Sequence, residues 1–202
     1  MKRVFGWARE HLLAACYLAA LALWCLWALG SAGLDAASRA GRPAGEDIPL
    51  SSLGCQDIAL TEEGLWVTTG ADPQFHLEAG QPVRSVFFAT DAPAAGFEGY
   101  WAGAGEDFSL RRRVFAQQVE GGVLLVFPER AQTIRIDPAA GAGVVLGEGE
   151  DAFLTVDGPL ALWRYFVPRA EQALALAALP AAAAVLADLA LFWKGRLLKK
   201  RG

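Results

Sequence analysis

Two long apolar stretches, one near each end of the chain, enclose a region in which apolar and polar residues alternate. Leu12–Leu34 contains no charged residue, and Ala173–Trp193 contains only Asp188. At about 1.5 Å of rise per residue, each stretch is long enough to cross the ~30 Å hydrocarbon core of a bilayer as a helix. The pattern therefore predicts two transmembrane helices with one domain between them.

The lysines predict how this hairpin is oriented. All four lie outside the apolar stretches, at Lys2, Lys194, Lys199 and Lys200. Basic residues beside a span favour the cytoplasmic side of a membrane. We therefore expect both termini in the cytoplasm and the middle domain outside. The predicted segments are a cytoplasmic N-terminus (1–11), a first span (12–34), a linker (35–50), an outer domain (51–168), a second span (173–193) and a basic cytoplasmic tail (194–202).

A cleaved signal peptide is the alternative interpretation of the first stretch. The basic segment Met1–Arg9 and the small residues around Leu29 fit that alternative. However, the apolar part of a signal peptide is normally about 7–15 residues long, and this one is longer. We therefore favour an uncleaved signal-anchor. A lipoprotein is excluded because Trp24, rather than a small residue, precedes Cys25.

The middle region reads as a series of short strands. Apolar residues recur there with a period of two, and turn-forming residues separate the runs. This mainly β pattern, with no helical stretch, predicts a jelly-roll-like β-sandwich between the two transmembrane helices. The predicted strands are Asp57–Leu60, Leu65–Thr69, Gln74–Glu78, Val83–Thr90, Phe97–Ala102, Phe108–Gln117, Gly122–Phe127, Gln132–Asp137, Val144–Leu146, Ala152–Val156 and Leu160–Val167.

Composition narrows the partners of the outer region. Between Asp35 and Arg169 there are ten arginines, no lysine and nineteen acidic residues, a net charge of −9. Such a balance argues against nucleic acid and against docking on anionic lipid, and is compatible with neutral glycans or divalent cations. The absence of asparagine, with abundant Ala, Gly and Arg, suggests a bacterial protein. Cys55 is the single thiol of this region, so it is either a buried small residue, which we favour, or a bridge between chains.

Aromatic side chains are the first candidates for ligand binding, because sugars stack their apolar C–H faces on exposed rings. The candidates are Trp66, Tyr100 and Trp101, with Trp163 and Tyr165 as further ones. Tyr100 and Trp101 are adjacent, so on a strand they point to opposite faces and one of them is expected in the core. For any single ring, a place in the sandwich core is the favoured interpretation.

Three arginines are the second group of candidates. Arg111 and Arg113 share one face of the predicted strand Phe108–Gln117, and Arg135 shares a face with Asp137. Guanidinium groups in such a row could hold an anionic sugar or a phosphate. The alternatives are a charged face that discourages edge pairing, and pairing of Arg135 with a nearby acid.

Acidic residues at two places in the chain are the remaining candidates. Glu148, Glu150 and Asp151 lie in a glycine-rich turn that could supply part of a Ca²⁺ site, although a solvated acidic turn is the favoured interpretation. Asp188 is expected near the depth of Tyr17 in the antiparallel hairpin. The favoured interpretation is a group that pins the two helices together, for example through the Tyr17 hydroxyl, and a proton- or ion-handling carboxylate is the alternative.

Three segments resemble a known family of domains. TGADPQF, FEGYWAGAGEDFS and IRIDPAAGAGVV, in that order and spacing, are similar to the β-sandwich domain of bacterial membrane proteins that assemble surface polysaccharides, including multi-span glycosyltransferase-like proteins. The resemblance covers about Leu50–Val156. It implies a role at the cell envelope. The present chain has only one helix after the domain, so the resemblance does not carry over transferase chemistry.

No catalytic constellation is recognisable. The chain has two histidines, no His/Cys cluster, and no nucleophile-elbow, P-loop or dinucleotide-binding fingerprint. We therefore expect no enzyme and no cofactor, with a structural Ca²⁺ as the alternative. Two functions remain: a membrane-anchored module that binds envelope glycan or polysaccharide precursors, or a structural subunit that assembles with a multi-span transferase or transporter. The small-residue faces of the helices would serve the second.

Overall fold

The computed structural model describes residues 11–40, 45–139, 141–168 and 170–199; for 194–199 it describes the backbone only. Lys2 and Lys200, on which the predicted orientation partly depends, lie outside the described residues. The chain divides into two units, one formed by Met1–Gly41 with Ala161–Gly202 and the other by Arg42–Leu160.

The first unit is helical. Helix α1 spans Leu12–Arg39, helix α2 spans Ala170–Lys199, and a short 3-10 turn at Leu162–Phe166 precedes α2. Both helices are long and apolar enough to cross a bilayer, which is compatible with membrane anchoring. Their orientation across a membrane stays a prediction. Pro180 lies inside α2, where it removes one backbone hydrogen bond.

The second unit is a β-sandwich, which confirms the predicted fold class. The strands are β1 (Glu46–Pro49), β2 (Gly54–Gln56), β3 (Ile58–Leu60), β4 (Leu65–Thr68), β5 (Gln74–Ala89), β6 (Glu98–Ala102), β7 (Arg113–Phe115), β8 (Gln117–Val119), β9 (Gly122–Asp137), β10 (Val145–Glu148) and β11 (Phe153–Val156).

The strands form two sheets. The larger sheet has the strand order β1-β11-β5-β9-β6-β7, with β2 beside β5 and β8 beside β9, and the smaller sheet has the order β10-β4-β3. The pairings of both sheets are antiparallel. Jelly-roll connectivity stays a prediction.

The core follows from period-two alternation in the two long central strands. Phe75 and Leu77 of β5 and Ile134 and Ile136 of β9 all point to one side and are buried. Gly99 of β6 lies on the same side, where a Cβ atom would come within 3.1 Å of Leu125. The first half of β9, which carries Leu125, therefore packs close to β6. Glycine at position 99 leaves room for this approach.

The bend in β5 and β9 has a visible cause. Their pairing shifts register between Glu78 and Val83 and again between Val83 and Ser85. Arg130 of β9 donates to the Pro82 carbonyl oxygen at 2.8 Å and to Asp157 at 2.9 Å. A bulge held in this way increases the local twist without ending the strand. In each of these two places the sequence predicts two strands separated by a turn, whereas the structure has one long strand, β5 or β9.

Two predicted strands are wrong and three real strands were missed. Phe108–Gln117 contains a 3-10 turn at Leu110–Arg112 before β7, and Leu160–Val167 contains the 3-10 turn of the helical unit. The missed strands are β1, inside the predicted linker, β2, and β8, which the prediction reaches only at Gln117. All three are short and mostly exposed, so none shows an apolar alternation from which it could have been predicted.

Candidate functional site

The side of the larger sheet opposite the core carries a continuous set of polar side chains, which we call the polar face. It arises because β5, β6 and β9 place every second residue away from the core. Strand register puts His76, Arg135, Tyr100 and Arg113 in one row across four strands. The neighbouring row contains Asp137 and Glu98. The polar face is defined by Gln74, His76, Glu98, Tyr100, Arg113, Arg135 and Asp137.

Arg135 at the centre of the polar face is held rigidly. Its Nε and Nη2 atoms donate to the two carboxylate oxygens of Asp137 at 2.7 and 2.6 Å. The same guanidinium lies 4.9 Å from the centre of the Tyr100 ring, and Asp72 lies 4.0 Å away. The hydrogen bonds to Asp137 raise the pKa of Arg135, so the group stays charged. The expected pairing of Arg135 with a nearby acid is thus present.

Tyr100 is covered by its neighbours. Its residue is only 8% exposed, and its hydroxyl donates to Glu98 Oε2 at 2.8 Å. Burial of the phenol, followed by the hydrogen bond to Glu98, raises the pKa of Tyr100. Because Arg135 lies over the ring, Tyr100 organises the polar face and does not offer a free stacking surface.

The open part of the polar face lies at its edge, on β7. Glu98 Oε2 also receives a hydrogen bond from Arg113 Nη1 at 3.4 Å, and the Arg113 guanidinium lies 4.8 Å from the centre of the Phe115 ring. Phe115 is 62% exposed. We call Glu98, Arg113 and Phe115 the edge corner. Arg113 lies over Phe115 as Arg135 lies over Tyr100, but Phe115 stays largely exposed. The edge corner thus combines an exposed apolar ring with a donor and an acceptor, a combination that suits a sugar.

On the other side of Arg135, a chain of amide and imidazole groups completes the polar face. Gln74 donates to Asp72 Oδ2 at 2.6 Å, and its side-chain oxygen lies 3.0 Å from His76 Nε2. The His76 ring lies 6.1 Å from that of Phe108. These groups therefore satisfy one another.

The tryptophans predicted to bind a ligand are core residues in the structure. Trp66 and Trp101 both belong to the buried cluster, and the Trp66 indole donates to the Gly149 carbonyl oxygen at 3.1 Å. Trp163 and Tyr165 lie in the 3-10 turn of the helical unit and not in the sandwich. Of the predicted rings, Tyr100 alone lies on the polar face.

Arg111 and Arg113, predicted to share one face of a strand, lie in different elements of the structure. Arg111 does not alternate with Arg113 along a strand, because it lies in the 3-10 turn and is exposed. Arg112 instead forms an ion pair with Glu106, and this lowers the pKa of the Glu106 carboxyl. Arg113 begins β7 and reaches the polar face. Glu98 and Phe115 were not predicted, because their proximity depends on strand order, which the sequence does not show.

The acidic turn shows no metal site. Among the residues that the structure describes, no group of three or more His, Cys, Asp or Glu could hold a metal ion, and this includes Glu148, Glu150 and Asp151. Cys55 is exposed rather than buried, and its thiol lies 3.6 Å from the Leu53 carbonyl oxygen. The interpretation of Cys55 as a buried residue is therefore wrong.

Tyr17 joins the two helices, but not through Asp188. Its hydroxyl donates to the backbone carbonyl oxygen of Ala177 at 2.6 Å, whereas Asp188 is exposed on α2 about three turns further along. Between the helices lies an apolar groove of about 610 Å³. Its lining consists of Cys16, Ala19, Ala20, Leu23, Trp24, Trp27, Gln172, Ala175, Leu176, Leu179, Pro180 and Ala183.

Comparison with known proteins adds little to this picture. No protein-family model matches the sequence, and no curated protein is similar enough to count as a match. A solved structure that it resembles is a low-affinity xylan-binding module from the gut symbiont Roseburia intestinalis. The two are 11% identical, the match covers 55% of this chain and 89% of that module, and the TM-score is 0.32.

Proposed function

We propose that this chain is a membrane-anchored β-sandwich module, held outside the cytoplasm, that binds an envelope glycan or a polysaccharide precursor at the edge corner. The observation that carries the proposal is the exposed Phe115 ring beside Glu98 and Arg113. A pyranose can place its apolar C–H face on such a ring while its hydroxyls exchange hydrogen bonds with a carboxylate and a guanidinium.

The rest of the polar face supports this role by fixing the edge corner. Glu98 accepts from both Tyr100 and Arg113, so its carboxylate is held before a ligand arrives. A group positioned in advance loses less conformational freedom on binding. Because the corner is small and open, we expect weak binding to each sugar unit, strengthened where a polymer presents many units to many copies in one membrane.

The proposal is tested with a soluble protein comprising residues 42–160, the compact sandwich unit. Its affinity for a panel of bacterial envelope polysaccharides would be measured by calorimetry and glycan array. Phe115→Ala and Arg113→Gln are expected to reduce affinity at least tenfold. The matched control is Phe153→Ala, which removes another exposed ring on β11. Retained affinity in the Phe115 variant, or an equal loss in the control, would count against the edge corner.

Orientation in the membrane is tested through Cys55. This thiol is exposed in the sandwich, whereas Cys16 and Cys25 lie on α1. A membrane-impermeant maleimide is expected to label Cys55 in intact spheroplasts and not to label a Cys55→Ser variant. Labelling that requires lysis would place the sandwich in the cytoplasm and refute the predicted topology.

A second function is favoured by one specific observation, the groove between α1 and α2. Four of its lining residues are alanines, at Ala19, Ala20, Ala175 and Ala183, and small residues allow close helix approach in membranes. The chain would then be a non-catalytic subunit of a multi-span transferase or transporter. Purification in mild detergent, with Ala19→Leu as the variant that fills the groove, distinguishes the two functions. A partner lost in that variant, without glycan affinity in the sandwich, favours the subunit.

A further inference from the structure

The 3-10 turn at Leu162–Phe166 is fastened to helix α1 by two side-chain hydrogen bonds. The Trp24 indole donates to the Phe166 carbonyl oxygen at 3.3 Å, and the Tyr165 hydroxyl donates to Asp35 Oδ2 at 2.5 Å. Asp35 is buried and also pairs with Arg39 at 2.7 Å. The turn is therefore held at a defined height along α1.

The side chains that these contacts leave outside are large and apolar. Leu162, Trp163 and Val167 are 56%, 58% and 58% exposed. The guanidinium of Arg164 lies 4.7 Å from the centre of the Trp163 ring. Exposed apolar groups beside a charged group with a long stem, and a tryptophan among them, are typical of the boundary between hydrocarbon and headgroups.

The height of the turn matches that boundary. Trp24 lies about 18 Å along α1 from Leu12, and Asp35 lies about 34 Å along it. The hydrocarbon core of a bilayer is about 30 Å thick. A turn joined to both residues therefore lies near the outer limit of the core, if the core begins near Leu12. A partner protein would have to cover both the apolar residues and the arginine, whereas the lipid boundary supplies both environments at once.

We propose that the Leu162–Phe166 turn is a membrane-surface element. Leu162, Trp163 and Val167 insert between the lipid headgroups of the outer leaflet, Arg164 lies at the level of the phosphates, and the bonds to Trp24 and Asp35 set the depth. This inference rests on the membrane insertion of α1 and α2 in the proposed function. It adds that the segment just before α2 fixes how far the hairpin enters the bilayer.

The test uses the full chain with its three cysteines replaced by serine, in vesicles of phosphatidylethanolamine and phosphatidylglycerol. Nitroxide labels are attached to single cysteines introduced by Leu162→Cys, Leu21→Cys and Phe115→Cys. Collision with oxygen, which enters lipid, is compared with collision with a nickel chelate, which stays in water. We expect position 21 deep in the lipid, position 115 in water, and position 162 at intermediate depth.

Each outcome distinguishes this inference from the proposed membrane anchoring. If position 162 is as accessible to nickel as position 115, while position 21 is in lipid, the turn does not insert and the inference is overturned. If position 21 is also in water, membrane anchoring itself fails. Shielding of position 162 from both reagents, with spin coupling between labels, would mean that a second copy covers the turn, which also overturns the inference.

The hydrogen bond from Tyr165 to Asp35 provides a second test. Tyr165→Phe keeps the ring and removes this bond, so we expect the label at position 162 to become at least twofold more accessible to nickel. The matched control is Tyr17→Phe, which removes the bond to Ala177 and leaves the turn in place. Equal accessibility in both variants would show that the Asp35 contact does not set the depth.

Discussion

The Tyr100→Phe substitution tests how the polar face is held together. It removes one hydrogen bond, from the phenol to Glu98 Oε2 at 2.8 Å, and leaves the ring under Arg135. Hydrogen bonds to charged groups contribute about 1.5–3 kcal/mol. Glu98 keeps Arg113 and is partly exposed, so water can replace the lost donor. We therefore expect a loss of about 1 kcal/mol in the free energy of unfolding.

The loss is measured on the 42–160 protein by urea denaturation and by thermal unfolding at pH 7. For a domain of this size, 1 kcal/mol corresponds to a fall in Tm of about 4 °C. Arg135→Ala is the comparison, since it removes the ring cover and leaves Asp137 without its cation. Its cost should be larger than that of Tyr100→Phe.

The same substitution has a pH dependence whose sign follows from the raised pKa of Tyr100. The folded protein holds the phenol proton more tightly than the unfolded chain, whose tyrosines lose theirs near pH 10. The contribution of this phenol to stability is therefore complete below about pH 10 and is lost as the pH rises through the raised pKa. The unfolding curves of the two proteins should converge in strong alkali.

Tyr100 is the single tyrosine between positions 42 and 160, so phenolate absorbance of that protein reports on it alone. We expect ionisation above the ordinary range, returning to about pH 10 in urea. If the phenol titrates normally in the folded protein and Tyr100→Phe unfolds at the same temperature as the parent, the proposed fastening of Glu98 is incorrect.

Three further predictions concern the sandwich. Gly122→Ala would force a Cβ atom into the Phe88 backbone carbonyl, so it should lower the free energy of unfolding by more than about 3 kcal/mol or prevent folding. Gly80→Ala, which has open space around it, should leave the stability measured by circular dichroism nearly unchanged. Ile134→Ala removes a fully buried side chain and should lower the free energy of unfolding by about 2–5 kcal/mol in a urea titration. Cys55 is exposed as a residue, but its sulfur is partly desolvated, which raises the pKa of the thiol. Its rate of labelling by iodoacetamide at pH 7 should therefore be lower than that of a free thiol and rise into the alkaline range; a rate equal to that of a free thiol would contradict this.

Local alternation predicted some of this structure and not the rest. In Ile134–Asp137 the period of two correctly separated the core isoleucines from Arg135 and Asp137. The burial of the isoleucines and the pairing of Arg135 with Asp137 both follow from residues that are neighbours in sequence. Trp66 stayed a candidate stacking ring because alternation shows that a residue points to one face, but not which face is covered. The Leu162–Phe166 turn was misjudged for a related reason, because its main polar partner, Asp35, is 130 residues away in sequence.

The edge corner could not have been predicted from the sequence. Glu98 and Phe115 become neighbours only when β6 pairs with β7, and the predicted strand around Arg113 began too early to give that register. The division of Gly122–Asp137 into two strands had a similar origin. Pro128 and the polar residues after it resemble a turn, whereas contacts with Arg84 and Asp157 hold them as a bulge.

The pairing of β1 with β11 has a consequence for how the protein is made. Glu46 lies opposite Val156, so the first strand of the sandwich completes the sheet only after the last strand has been synthesised. The central pair β5–β9 also joins residues far apart, such as Phe75 and Ile136. Sheets built from such distant contacts fold slowly. If the sandwich crosses the membrane as it emerges, it therefore crosses before β1 can pair with β11, and the sheet closes only on the far side.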